Sequence, residues 1–248
     1  MKRKLLRITL VLFAAALVCR YVYYKAFVAA PMSRNLQINM QAHNSLRAVA
    51  FTTVVSGYYP EDVLSETGEP ILSWRAALSE NDRDDGYFGD VPDVDLTRAW
   101  DDPANLDAAS RRPSEFFYPY YLEEYDSGKT CLFRINDVHE RLVAGVATPG
   151  DCPYLVLAAP QHAVPWTNPQ DVSIQEITNK KVRLFYAGNY FYQYYRKDMR
   201  RKLDRSCDEK DGVVYYADVS GAVWTREFDD FVELLKSVDV STEGEKGE

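Results

Sequence analysis

Val213-Val214-Tyr215-Tyr216-Ala217-Asp218-Val219-Ser220-Gly221-Ala222-Val223-Trp224 holds two β-branched and aromatic runs parted by a Ser-Gly turn. Such residues suit a pleated, half-buried surface, and a turn signal between two such runs marks an antiparallel hairpin. Working outward, four earlier stretches share this makeup: Cys131-Leu132-Phe133-Arg134-Ile135, Leu142 to Val146, Tyr154 to Ala159 and Val182 to Tyr186. Together with the hairpin they predict a mainly antiparallel sheet. After the hairpin, Phe228 to Val238 places Phe231, Leu234 and Leu235 on one face of a short closing helix. The end of the chain, residues 239–248, reads as a solvated acidic tail.

Toward the N-terminus, Tyr58 to Tyr121 has little periodicity and many Pro, Asp and Asn residues, which predicts an ordered loop region with short turns. From Pro31 a helix is expected, because Leu36, Met40, His43, Leu46 and Ala50 recur at spacings of three or four. At Phe51-Thr52-Thr53-Val54-Val55 the residue types become β-branched, and Ser56-Gly57 ends the segment. No internal repeat is present.

The start is basic, Met1-Lys2-Arg3-Lys4, and leads into the uncharged run Ile8 to Cys19. That run alone is too short for a bilayer core, which takes ~20 residues. Leu5 to Tyr24 reaches this length if Arg7 and Arg20 snorkel and Tyr21, Tyr23 and Tyr24 lie at the outer interface. The expectation is an uncleaved single-pass anchor over residues 5–24, a cytoplasmic tip at 1–4 and an exported head at 31–238. The competing reading is cleavage after Val28-Ala29-Ala30, which leaves Pro31 as an unfavourable first residue.

Composition narrows the function. With 46% apolar and 27% charged residues the chain is an ordinary globular one. The net charge of −8 is uneven: residues 1–60 carry eight bases and no acid, and residues 61–248 carry 21 bases against 37 acids. A head this acidic repels phosphate backbones, so no nucleic-acid partner is expected. Of the four cysteines, Cys131 and Cys152 border apolar runs and are the candidate disulfide pair in an oxidising compartment.

Several stretches, in order, resemble a known family. Ala42-His43-Asn44 is similar to a stem helix ending in a His-Asn pair. Gly57-Tyr58-Tyr59-Pro60 and Ser73-Trp74-Arg75 resemble an aromatic-Pro stretch and a Ser-Trp-Arg signature. Trp100-Asp101-Asp102-Pro103-Ala104-Asn105 is similar to a Trp-Asp-x-Pro-x-Asn segment. Val164-Pro165-Trp166-Thr167-Asn168-Pro169-Gln170-Asp171 resembles a Val-Pro-Trp-Thr-x-Pro-x-Asp motif, and Ala217-Asp218 falls in a final hairpin. The family is the pilin-like, prepilin-type processing-associated family of unknown function. The resemblance implies a pilin-like α+β head on an N-terminal transmembrane helix, continued by an amphipathic stem that packs on the sheet. It assigns no activity. The prepilin peptidase site is replaced here by a plain anchor, and the His-Pro-Gly-Gly stretch before the last hairpin is missing.

No enzyme constellation is legible. His43, His139 and His162 are scattered, no Gly-x-Ser-x-Gly occurs and there is no Gly-rich phosphate loop, so no catalytic residue, metal or cofactor is expected. Asn81-Asp82-Arg83-Asp84-Asp85-Gly86 resembles the start of a calcium loop, but Arg83 takes a ligand place; an irregular site would have to use Asp90, Asp93 or Asp95. Trp74, Trp100 and Trp166 are expected to be loop anchors filling pockets against the sheet, with a ligand-binding cleft as the alternative. Arg75 is expected to pair with Asp101 or Asp102. The Tyr-rich and basic stretch Phe185 to Arg205 reads as an exposed, salt-bridged helix beside a sheet edge. The expected partners are the lipid bilayer through residues 5–24 and, through the stem, other envelope proteins or a second copy. The role expected is a membrane-anchored, exported, non-catalytic structural or interaction protein.

Overall fold

The computed structural model describes residues 15–25, 30–56, 59–81, 83, 88–116, 128–146, 152–188 and 212–240. The chain forms two units, one of residues 1–37 with 189–206 and the other of residues 38–188 with 207–248. In the first unit residues 15–24 are helical, with Leu17, Val18, Tyr21, Val22, Tyr23 and Tyr24 exposed. Among the described residues no helix is long and apolar enough to cross a membrane. The expected span over Leu5 to Tyr24 begins outside the described residues. So do residues 241–248 of the expected tail and most of the Tyr-rich basic stretch; Asp239 and Val240, read as part of the tail, instead end the closing helix.

The second unit is mixed α+β with antiparallel sheets. Its main sheet is built around β8 (Gly212–Asp218), the first strand of the expected hairpin. One edge of β8 pairs with β9 (Val223–Glu227) from Val213↔Glu227 to Ala217↔Val223. The other edge is shared. β5 (Pro153–Leu157) takes Tyr216 to Asp218, and β7 (Tyr186–Gly188) takes Gly212 to Val214. β4 (Leu132–Arg134) lies beyond β5, also antiparallel. A strand buried on both faces needs continuous apolar character, and Val214, Tyr215, Tyr216 and Ala217 are all buried. The closing helix α6 (Phe228–Val240) packs on this sheet, with the Phe231 ring 5.1 Å from that of Tyr216.

Two small ribbons complete the strands: β1 (Val63–Leu64) with β2 (Pro70–Leu72), and β3 (Lys129–Thr130) with β6 (Val164–Pro165). The helices before α6 are α1 (Ala30–Ser56), α2 (Trp74–Asn81), α3 (Leu106–Ala109), α4 (Asn136–Val143) and α5 (Ile174–Thr178). α5 begins with a capping box. The Ser173 hydroxyl accepts from Glu176 N, and the Glu176 carboxylate accepts from Ser173 N.

Several expectations are corrected. Leu142 to Val146 is not a strand: Leu142 and Val143 end α4, which buries Val138 and His139, and the chain then turns at Gly145 with φ +69°. A short apolar run is compatible with either element, and here the helix begun at Asn136 decides. The region read as loops contains α2, whose buried face is Trp74, Arg75, Ala76, Leu78 and Ser79. α1 stays helical through Phe51 to Ser56 despite the β-branched run, with the Thr52 and Thr53 hydroxyls turned back onto the carbonyls of Ala48 and Val49. Its buried face is Ala42, Ser45, Leu46, Val49 and Ala50, whereas Leu36 and Met40 are exposed and His43 is half-buried.

The Cys131–Cys152 bridge is not formed. Leu132 pairs with Leu157 and Arg134 with Leu155, so Cys131 adjoins Ala158 while Cys152 precedes the opposite end of β5. At about 3.3 Å per residue the two are on the order of 20 Å apart, far beyond disulfide reach.

Candidate functional site

Two of the motifs, Ser73-Trp74-Arg75 and Val164 to Asp171, meet around one buried carboxylate. Asp171 lies between β6 and α5 with its side chain fully buried, and its Oδ1 accepts three hydrogen bonds at 3.0 Å each, from Trp74 Nε1, Arg75 Nη2 and Arg134 N. Its Oδ2 is 3.0 Å from Arg134 Nε. Arg134, the one charged residue in the apolar run of β4, also donates to the Pro60 carbonyl at 2.8 Å and to Asp62 Oδ2 at 2.9 Å. Asp62 Oδ1 accepts from Trp74 N at 2.7 Å, at the first turn of α2 where an anionic acceptor is favoured. Asp62, Arg75, Arg134 and Asp171 thus form a neutral set of two cations and two anions, drawn from four segments of chain.

Arg75 is the most fully bonded member of the set. Its residue is 0% exposed, and it donates to the carbonyls of Leu132, Asn168 and Gln170 besides Asp171. The guanidinium lies over the Trp74 ring at 4.9 Å and the Phe133 ring at 5.3 Å, a stacked position that suits Arg and not Lys. Burial pulls the Arg75 pKa down, and Asp171 and Asp62 oppose this. Burial also holds the Asp62 carboxyl above the usual carboxylate range, against the pull of Arg134. The expected partners Asp101 and Asp102 are not used; Asp101 is exposed and Asp102 Oδ1 accepts from Ala104 N.

A second cluster adjoins the first. Ser73 Oγ donates to the Trp166 carbonyl at 2.7 Å, and Ser73 N to that of Thr167 at 2.9 Å. Trp166 is 0% exposed; its Nε1 donates to the Ala108 carbonyl, and its ring stacks on Phe116 at 5.9 Å. Phe116 also meets Trp74 edge to face at 6.4 Å. Trp166 N donates to the Gly128 carbonyl, and at Gly128 a Cβ would sit 2.3 Å from the Ala109 carbonyl oxygen. Only glycine permits that approach.

The remaining motif residues serve locally. Asn105 is buried and locks its loop, accepting from Asp95 N and donating to the carbonyls of Asp95, Arg98 and Ala99. Trp100 is half-buried, with its N bonded to the Ile71 carbonyl, and Pro103 is exposed. Asp218 Oδ1 accepts from Ser220 N, Ser220 Oγ and Ala222 N, and Oδ2 from Trp224 Nε1 at 2.6 Å, so it fastens the β8–β9 turn beside buried Ala217. Pro165 and Pro169 are half-buried beside Trp166 and Asp171 in sequence. His43 and Asn44 lie apart from these clusters in sequence, on α1, Asn44 exposed.

Beyond the charged set, His139 on α4 is buried, with Nδ1 3.4 Å from the Tyr154 hydroxyl. Tyr59 meets Tyr154 edge to face at 5.6 Å. Burial pushes the Cys131 thiol up to about 12, so it is not a thiolate at neutral pH. Among the described residues no group of three or more His, Cys, Asp or Glu side chains could hold a metal ion. Of the acids considered for calcium, Asp93 is instead ion-paired with Arg83, which also binds Glu80 at 2.6 Å. The arrangement therefore holds backbone segments together; Arg134 Nε and Asp171 Oδ2 face each other as an ion pair at 3.0 Å without a hydrogen bond, and Thr167 Oγ1 is buried with none among the described residues.

Asp62 and Arg134 were not singled out by sequence. Arg134 had a signal, a lone cation inside an apolar run; Asp62, in a polar stretch, had none. Compared with known proteins, the chain matches no family model, no curated protein and no solved structure.

Proposed function

We propose that this chain is a membrane-anchored, exported, pilin-like protein of structural or interaction type, without catalytic activity. The observation that carries the reading is the closure of Ser73-Trp74-Arg75 on Trp166 to Asp171, in which Ser73 bonds to Trp166 and both Trp74 and Arg75 bond to Asp171. Residues spent this way maintain the head, and no activated nucleophile or general base stands among them. The same burial argues against a tryptophan-lined ligand cleft, since Trp74 and Trp166 are 1% and 0% exposed. The anchor part of the proposal rests on the basic start and the Leu5 to Tyr24 stretch. Fractionation of the native protein with intact-mass analysis tests it. The expected product stays in the membrane after a high-salt wash and retains Met1, whereas a soluble form starting near Pro31 overturns the proposal.

A further inference from the structure

We propose that His139 is an acid-operated latch: when its buried imidazole takes a proton, helix α4 is released from β5 while the main sheet stays paired. The helix is short, eight residues, and besides His139 it is tied down by Asn136 N donating to the Val172 carbonyl at 2.9 Å, by Asp137 Oδ2 accepting from Ile174 N at 2.7 Å and by Leu142 packed on the core. Val138 and His139 are its buried side chains, Arg141 reaches the Val238 carbonyl at 3.3 Å, and Glu140 and Val143 are exposed. The β4–β5 pairing runs through backbone bonds of residues 132–135, and so does not depend on α4. At the latch itself, the imidazole has the Tyr154 ring at 6.2 Å and the Tyr154 hydroxyl as its hydrogen-bond neighbour.

The charges around His139 do not favour a cation. Arg134 on β4 repels it, and the opposing carboxylate, Asp171 before α5, is already shared by both arginines. On its own helix Asp137 accepts from Ile174 N, and Arg141 adds a further positive charge. Burial, then Arg134, lower the docked imidazole from 6.5 to about 4. The undocked state therefore takes up the proton first. The stability of docking is fully present above pH 6.5 and is lost as pH falls toward 4. Asp62 works in the opposite sense, because its raised pKa favours the proton in the closed state, so the release belongs to His139.

The test is amide hydrogen exchange on the full chain in detergent micelles at about pH 7 and about pH 4.5, corrected for the intrinsic exchange rate. The expected result is loss of protection over residues 136–143 by on the order of tenfold to a hundredfold, with residues 132–134 and 153–157 keeping theirs. In His139→Gln the protection of residues 136–143 should not change with pH. Because that variant can fail to fold, the wild-type His139 resonance is titrated as well, with a midpoint well below 6.5 expected. An imidazole titrating near its ordinary value, protection unaffected by acid, or equal loss across helix and strands would overturn the proposal.

Discussion

Asp171 carries the largest single-residue consequence. It faces two guanidiniums in a site with no water access to its side chain, and breaking such a set by removing one partner leaves a charge buried and uncompensated. Asp171→Asn keeps the volume and the bond from Trp74 but removes the charge, leaving Arg75 and Arg134 against Asp62 alone. The expected loss is about 3–5 kcal/mol of stability, read as a fall in the chemical denaturation midpoint of the full chain in micelles. At this scale sequence was informative about which residues matter and poor about whom they meet. Arg75 stood out beside Trp74, but its acid lies 96 residues away in a different motif, not at the nearby Asp101 or Asp102. Residue identity reports the need for a partner, and only the fold supplies it.

Among the elements, the final hairpin was legible because two β-rich runs flank a Ser-Gly turn, and the structure adds why the turn closes. Four donors converge on the Asp218 carboxylate, one of them the indole of Trp224. Asp218→Ala leaves the two backbone and two side-chain donors without their acceptor, and a loss of about 2–3 kcal/mol is expected, consistent with hydrogen bonds to a charged acceptor. Proteolysis within residues 219–222 should accelerate in the variant, whereas a hairpin formed by propensity alone would leave both readings unchanged. Elements that carry no such signal were misread. α2 has a buried arginine and a buried serine on its inner face, so no apolar stripe announces it. α4 offers only Val138, Leu142 and Val143 as apolar residues, too few to outvote a strand-like ending.

For the whole molecule, the four tryptophans divide by exposure. Trp74 and Trp166 are buried, Trp100 is half-buried, and Trp224 is 47% exposed. Iodide quenching of the native chain should therefore come mainly from Trp224, and Trp224→Phe should remove most of the quenchable emission at a cost of about 1–2 kcal/mol, because it also gives up one of the four bonds to Asp218. Strong quenching that survives this change, and is lost instead in Trp74→Phe or Trp166→Phe, would show that the motif tryptophans line an accessible cleft. The α+β class with antiparallel sheets was readable from residue types. The way its loops are pinned was not, because the pins are single side chains reaching across the chain.

The charged quartet also sets an order of events as the chain is made. A ribosome releases Asp62, Trp74 and Arg75 first, Arg134 some sixty residues later and Asp171 last, 96 residues after Arg75. Until Asp171 has emerged, a guanidinium and an indole meant for the interior have no carboxylate to receive them. Folding around this quartet thus waits on the second half of the chain, and a nascent chain halted before residue 171 presents the Trp74–Arg75 pair to whatever chaperone is near.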